Sequence, residues 1–309
     1  MPTTTDRYQG ALLGLAAGDA VGTTLEFQPP GSFTPITDMV GGGVFQLQAG
    51  EWTDDTSMAL CLAESLVECQ GFHAHDQMTR YVRWWRTGEY SVTGTCFDIG
   101  GTVRAALQHF TQTGDPYAGV ATGAGNGALM RLAPLPMAYA RSSQLPALLA
   151  ASSRTTHGGQ QSVDACIVFG LLLADALQGA DKAALLARLE LIRMDGMPLH
   201  PEIAEIVGGS YLRKSPPAIR GAGYVVPALE AALWAFFSTD SYQAAVLAAA
   251  NLGDDADTTA AIVGQLAGAV YGVQAIPAAW RAKLAWRDRL QHLAAGLEHL
   301  AGRLVDGRD

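Results

Sequence analysis

The sequence predicts an all-α fold, a compact orthogonal assembly of roughly a dozen or more helices. Three observations carry that expectation. Strand signals are nearly absent: no period-two alternation lasts beyond a few residues, and no Asn-Gly hairpin joins two alternating segments. Apolar residues recur at helical spacing, as in Met58, Leu60, Cys61, Ala63, Leu66 and Val67. Small residues recur at every fourth position near both ends, at Gly10, Gly14 and Gly18 and again at Gly264, Gly268 and Gly272. That spacing lays them along one helix face, where a neighbouring backbone can approach closely.

In chain order, Tyr8 to Val21 reads as the first such helix, closed by Asp19, with Glu26 just beyond it. Residues 28–50 are rich in Pro and Gly and read as a loop. The next helix runs from Asp55 to Cys69. Residues 76–88 interleave Tyr81, Trp84 and Trp85 with Arg80, Arg83 and Arg86, a pattern that can mark nucleic-acid binding but at this spacing in an acidic chain favours an amphipathic helix with a charged outer face. Asp98 precedes the helix Val103–Phe110, either as its cap or as an acid held in a partly apolar pocket. A second loop, Asp115 to Gly127, ends in the stretch Gly123 to Arg131, whose small residues let a ligand meet backbone amides. Helices follow at Leu145–Ser153 and Val163–Leu177, and His157 sits in the turn between them, a place that favours ligand contact over core packing. The other histidines, among them His73 and His200, are read as structural or solvated. Residues 181–223 are polar and punctuated by Pro and Gly, a segment expected to fold over the surface near the site. Tyr224, at the return of the apolar pattern, is placed either to stack on a flat ligand ring or simply to pack. Ala228–Phe237, Tyr242–Ala250 (capped by Thr239 and Asp240), Thr259–Tyr271 and one or two helices within Pro277–Leu304 complete the set. Arg281, Lys283, Arg287, Arg289 and Arg303 are read as a solvated face of the last of these.

The chain of 309 residues is 49% hydrophobic and 16% charged, enough for one large domain or two closely packed ones. A net charge of −9 argues against a nucleic-acid backbone as the main partner. Met1 to Asp6 shows no secretory pattern, and no apolar stretch reads as reaching the ~18 residues of a membrane span. Cys61, Cys69, Cys96 and Cys166 lack C-x-x-C spacing, which fits a reducing cytoplasm.

Charge is concentrated in two places, Glu51 to Thr56 and Gly253 to Thr259. Asp and Thr cap helices well, and carboxylates suit helix N-termini. Capping accounts for one or two such residues per helix, whereas Asp54 and Asp55, and Asp254, Asp255 and Asp257, are bunched. Adjacent carboxylates repel, more strongly when buried, and hard divalent cations remove that penalty. Capping and metal binding are both open on residue types alone.

Taken together, several stretches resemble the ADP-ribosylglycohydrolase family, specifically its bacterial branch similar to dinitrogenase reductase-activating glycohydrolase. They are Gly10 to Asp19, Trp52 to Thr56, Cys96 to Gly100, Gly125 to Arg131, Thr155 to Gly158, Gly223 to Val226 and Gly253 to Thr258, in the family's order. The resemblance implies a single domain over 1–309 with two divalent cations, Mg²⁺ or Mn²⁺, at the base of a cleft. It implies Thr53, Asp54, Asp55, Asp255, Asp257 and Thr258 as ligands, with one Asp bridging. Asp254 stands where relatives often have Gly and is left outside that set. Glu26 is implied as ligand or acid/base, and Asp98 as a catalytic acid. Gly125, Asn126, Gly127 and His157 are implied to hold diphosphate and ribose, with Tyr224 bordering the cleft. The implied reaction is hydrolysis of the bond between ADP-ribose and an arginine side chain of a modified protein. Alternatives are a serine-linked or small ADP-ribosyl substrate, or ADP-ribose binding without cleavage.

Overall fold

Two helices touch backbone to backbone, and the rest of the molecule is arranged around that contact. The computed structural model describes residues 1–305; the last four residues of the expected 1–309 domain lie outside the described residues. The first helix, α1 (Thr4–Gly22), starts at a Thr3–Asp6 capping box. It is followed by α2 (Asp54–Glu68), α3 (Ala74–Thr87), α4 (Gly101–Thr113) and the short turns α5 (Gly127–Met130) and α6 (Pro134–Tyr139). Next come α7 (Leu145–Arg154), α8 (Gln160–Leu177), α9 (Lys182–Met194), α10 (Pro201–Val207), α11 (Val225–Phe237) and α12 (Tyr242–Ala250). The chain closes with α13 (Ala256–Tyr271), α14 (Ala278–Lys283) and α15 (Arg287–Arg303). Among the described residues there is no strand, only isolated bridges.

Helices α1 and α13 run antiparallel with their small residues in register. A Cβ on Gly10 would lie 2.1 Å from the Gly268 carbonyl oxygen, one on Gly14 2.4 Å from that of Gly264, one on Gly18 2.2 Å from that of Ala260, and one on Gly22 2.3 Å from that of Ala256. The period-four glycines at the two ends of the sequence are therefore two halves of one seam. Its register sets the site: the C-terminal end of α1, with Asp19, meets the N-terminal end of α13, with Asp257. Gly18→Ala is expected to push the helices apart, with an overpacking cost of about 1–3 kcal/mol. Urea denaturation checks this, and an unchanged midpoint would contradict the seam.

Several sequence expectations change here. Helix α8 is 18 residues long and apolar enough by composition to cross a membrane, contrary to the reading that no stretch reaches that length. It is 78% buried inside the fold, packed on α7, α6, α11 and α13, the position of a core helix. The charged face of α3 is not wholly outward. Arg80 is buried and ion-paired with Glu64, Glu68 and Asp76, which ties α3 to α2. The basic residues of the last two helices are not merely solvated either. Arg289 pairs with Glu64 at 2.5 Å and lies over the Tyr90 and Trp286 rings, and Lys283 donates to the Met39 carbonyl. Ser241, not Thr239 or Asp240, caps α12, because its hydroxyl is the group that reaches the Ala244 amide. His73 and His200 are caps of α3 and α10.

Candidate metal centre and cleft

Asp19 begins the site. Its carboxylate, fully buried in the apolar C-terminal part of α1, needs donors, and it finds them in the first turn of α2. Oδ1 accepts from the Thr53 amide at 2.9 Å, and Oδ2 accepts from the Thr56 amide at 3.0 Å and its hydroxyl at 2.6 Å. Asp19 thus docks the N-terminus of α2 against the end of α1. Glu26 does the same for α13, where Oε2 accepts from the Ala256 amide at 3.0 Å. These two acids bring together segments more than 200 positions apart: Thr53 Oγ1 lies 3.1 Å from Asp257 Oδ2, a residue 204 positions further along the sequence.

That hydroxyl exposes the electrostatic problem. Thr53 Oγ1 is 3.0 Å from Asp19, 3.2 Å from Asp55 and 3.1 Å from Asp257. It has one proton to give to three carboxylates. Asp55 Oδ1 is buried with no partner. Carboxylate oxygens of Asp19, Asp55 and Asp257 lie within 4.8 Å of one another, as do those of Glu26, Asp255 and Asp257. Asp257 belongs to both groups. Among the described residues none of these acids is paired with Lys or Arg. Without a cation, protons must make up the deficit. Burial, reinforced by Asp257, raises the carboxyls of Asp19 and Asp255 to about 7. The same burial and like-charge repulsion hold Glu26, Asp54 and Asp55 far above the usual range. An orphaned oxygen, an all-oxygen donor set and two overlapping carboxylate groups fit hard divalent cations.

Above this floor lies a cavity of about 730 Å³. Glu26, Asp54, Asp98, Asp254 and Asp255 line its acidic end. Thr258 also lines it, with its hydroxyl 3.4 Å from Asp55, while Thr53, Asp55 and Asp257 sit buried beneath. Asp98 is not the cap of α4, whose N-cap is Gly100 without a side-chain bond. It holds a left-handed backbone, φ 58°, and its carboxyl is raised to about 11 by burial and then by Asp54 and Asp257. A strained non-glycine residue of this kind, aimed at a cavity, is a mark of function.

Gly125, Asn126, Gly127 and His157 line the same cavity. Asn126 Nδ2 donates to Asp255 at 2.5 Å, joining the glycine loop to the acids. A Cβ on Gly127 would meet the His157 ring at 2.8 Å, so the loop closes on the histidine because Gly127 has no side chain. Tyr224 is outside the lining. Its hydroxyl donates to Glu202 at 2.6 Å, and its backbone segment instead holds the loop, with the Asn126 amide on Gly223 and the Val225 amide on Ala124. Gly223 is the wall residue there. Asp254 has φ 52°, and its backbone is tied to Phe27 and Gln28, a conformation a glycine adopts at no cost.

Sequence reasoning missed Asp19 and Thr56. The available signal was a lone Asp in the stretch Gly10 to Gly22, otherwise made of Gly, Ala, Leu and Val, since a buried acid must find partners.

The fold and the cleft together define an all-α protein with a carboxylate-floored pocket suited to divalent cations. The model of the ADP-ribosylglycohydrolase family matches residues 1–307, and the chain belongs to that family. It is 48% identical over 297 residues to the ADP-ribosylarginine hydrolase Tri1 of Pseudomonas putida, covering 94% of this chain and 78% of that one. It is 32% identical over 289 residues to the ADP-ribosyl-[dinitrogen reductase] glycohydrolase of Rhodospirillum rubrum, covering 92% of each. A solved structure, that of an ADP-ribosylglycohydrolase-related protein complex, superposes with a TM-score of 0.88 at 46% identity, over 96% of this chain and 99% of that one.

Proposed function

We propose that the protein is an ADP-ribosylarginine hydrolase that uses two Mg²⁺ or Mn²⁺ ions to split the N-glycosidic bond between ADP-ribose and an arginine of a modified protein. The kinship to arginine-specific hydrolases carries the acceptor assignment. The observation that carries the metal assignment is the sharing of Asp257 between two carboxylate groups beside an unpartnered Asp55 oxygen. Thr53, Asp54, Asp55 and Asp257 would hold one ion, with Asp19 orienting them. Glu26, Asp255, Asp257 and Thr258 would hold the other. Bound there, the cations supply a grip on ribose hydroxyls and a water of lowered pKa.

The chain's own residues do the rest. Asn126 orients Asp255. Gly125 to Gly127 let the diphosphate approach the backbone, and His157 meets the ribose or phosphate oxygens. Cleavage of C1–N leaves a guanidine nitrogen that needs a proton. Without cations, burial and neighbouring acids raise both Glu26 and Asp98, but Glu26 lies within the carboxylate group and caps α13. Asp98 is in neither group and faces the cavity, which supports it as the donor. Four free thiols support a reducing cytoplasmic setting.

The test is product analysis on ADP-ribosylated arginine with Mn²⁺ or Mg²⁺ and with chelator, beside a serine-linked substrate. Release of ADP-ribose and unmodified arginine only with metal is expected, and the serine linkage should persist. Equal release in chelator, or cleavage of the serine linkage alone, would overturn the assignment.

A further inference from the structure

Arg131 is a guanidinium buried to 1% exposure, and among the described residues no carboxylate pairs with it. Removing such a charge from water is costly unless it is paired and hydrogen-bonded. What surrounds it is neutral. The Tyr81 ring lies 4.8 Å below its Cζ, Met58 Sδ is 3.9 Å away, and two hydroxyls receive its Nη2: Thr156 at 2.7 Å and Thr155 at 3.4 Å. Its Nε has no partner.

The two hydroxyls differ in where their own protons go. Thr155 donates to the Ser152 carbonyl at 2.7 Å. The Thr156 hydroxyl accepts from Arg131, and among the described residues its other hydrogen-bond contact is His157 Nδ1 at 2.8 Å. Thr156 is fully buried, so its proton has no water to go to. If Nδ1 carried a proton, the threonine hydrogen would be stranded, at a cost of about 1–3 kcal/mol. If Nδ1 is bare, the Thr156 hydroxyl both accepts from Arg131 and donates to His157, and its proton is satisfied. The positive guanidinium upstream also strengthens Thr156 as a donor.

We propose that Arg131 is a positioning residue: acting through Thr156, it fixes His157 as the tautomer with Nδ1 bare and the proton on Nε2, so that a neutral N–H donor is presented to the cleft. The other nitrogen is correctly placed for that role. A Cβ on Gly125 would lie 3.1 Å from Nε2 and one on Gly127 3.2 Å from it, so Nε2 sits against the loop that lines the cavity. Burial and the Arg131 charge depress the imidazole to about 3, so the ring stays neutral at any working pH. A neutral donor suits an oxygen of a ribose hydroxyl or phosphate, and it adds no positive charge that would compete with cations for the carboxylates. The ligand's identity rests on the function proposed above; the tautomer does not.

The experiment is a long-range ¹H–¹⁵N correlation spectrum of the ring nitrogens in the ligand-free, full-length protein, together with steady-state kinetics on ADP-ribosylated arginine with Mn²⁺. The wild type is expected to show a bare Nδ1 and a protonated Nε2. Thr156→Ser keeps the hydroxyl and should keep that spectrum. Thr156→Val removes it and should give a mixture of tautomers, with KM rising roughly tenfold and kcat little changed, since tenfold corresponds to 1.4 kcal/mol of lost ground-state binding. Arg131→Lys should weaken the preference in the same direction. If it fails to fold, the threonine pair decides the matter alone. A protonated Nδ1 in the wild type, or a Thr156→Val spectrum like that of the wild type, would overturn the proposal. The expected spectrum in a protein that cleaves none of the substrates would sink the function and leave the tautomer standing.

Discussion

Asp255→Ala combined with Asp257→Ala is expected to remove metal and turnover while leaving helical content intact. Loss of a residue that only orients a metal ligand costs about 10–100-fold. Asp257 belongs to both carboxylate groups and Asp255 to one, so the double variant should lose well over a hundredfold in kcat/KM. The fold should survive because the α1–α13 seam is made by backbone and small residues, and Glu26 still caps α13. The variant also loses two of the carboxylates that repel one another across Thr53 and Glu26. In chelator it should therefore be at least as stable as the wild type, and added Mn²⁺ should no longer raise its melting temperature. Circular dichroism, calorimetric titration of Mn²⁺ and the product assay together read this. Wild-type turnover in a well-folded double variant would end the metal reading.

How much of this could be read in the sequence depended on whether the cause was local. Helices α1, α2, α8 and α13 announce themselves by apolar spacing and small residues, because those causes lie within a few positions. The period-four glycines showed that two helices are closely approached, but not that each is the other's partner. That pairing is a fact of register, and no residue in α1 names Gly268. Asp19 went unassigned for the same reason, as its donors Thr53 and Thr56 are 34 and 37 positions away. Tyr224 was legible as part of a cleft-bordering stretch. Whether its ring or its backbone faced the cleft was not, because Glu202, which takes its hydroxyl, belongs to another helix. Asp254 stood out as an extra charge, and only the backbone angle showed that this position is defined by conformation.

The chelated protein is expected to lose stability as pH rises, the reverse of ordinary acid denaturation. A carboxyl whose folded-state pKa is raised holds its proton more tightly folded than unfolded, so the unfolded state binds fewer protons and stability falls with pH. For Asp19 and Asp255 the window runs from their usual 3.8 to about 7, and for Asp98 it extends to about 11. Glu26, Asp54 and Asp55 act in the same direction. His157 opposes them: its folded pKa is depressed to about 3, so its contribution grows as pH rises and is complete above 6.5. One imidazole is outnumbered by the acids, and above pH 7 it is silent. Carboxylates with lowered pKa, such as Asp76, lose their contribution only below their usual 3.8. The expected net loss between pH 5 and 8.5 is on the order of a few kcal/mol, a fall in melting temperature of roughly 5–10 °C. Mg²⁺ or Mn²⁺ should level or reverse that slope, because cations take the places of the protons and bind better as the acids ionise. Thermal unfolding at pH 5, 7 and 8.5, in chelator and in metal, gives both slopes. A chelated protein that grows more stable across that range would mean the clustered acids are ionised without a cation, against the geometry of the site.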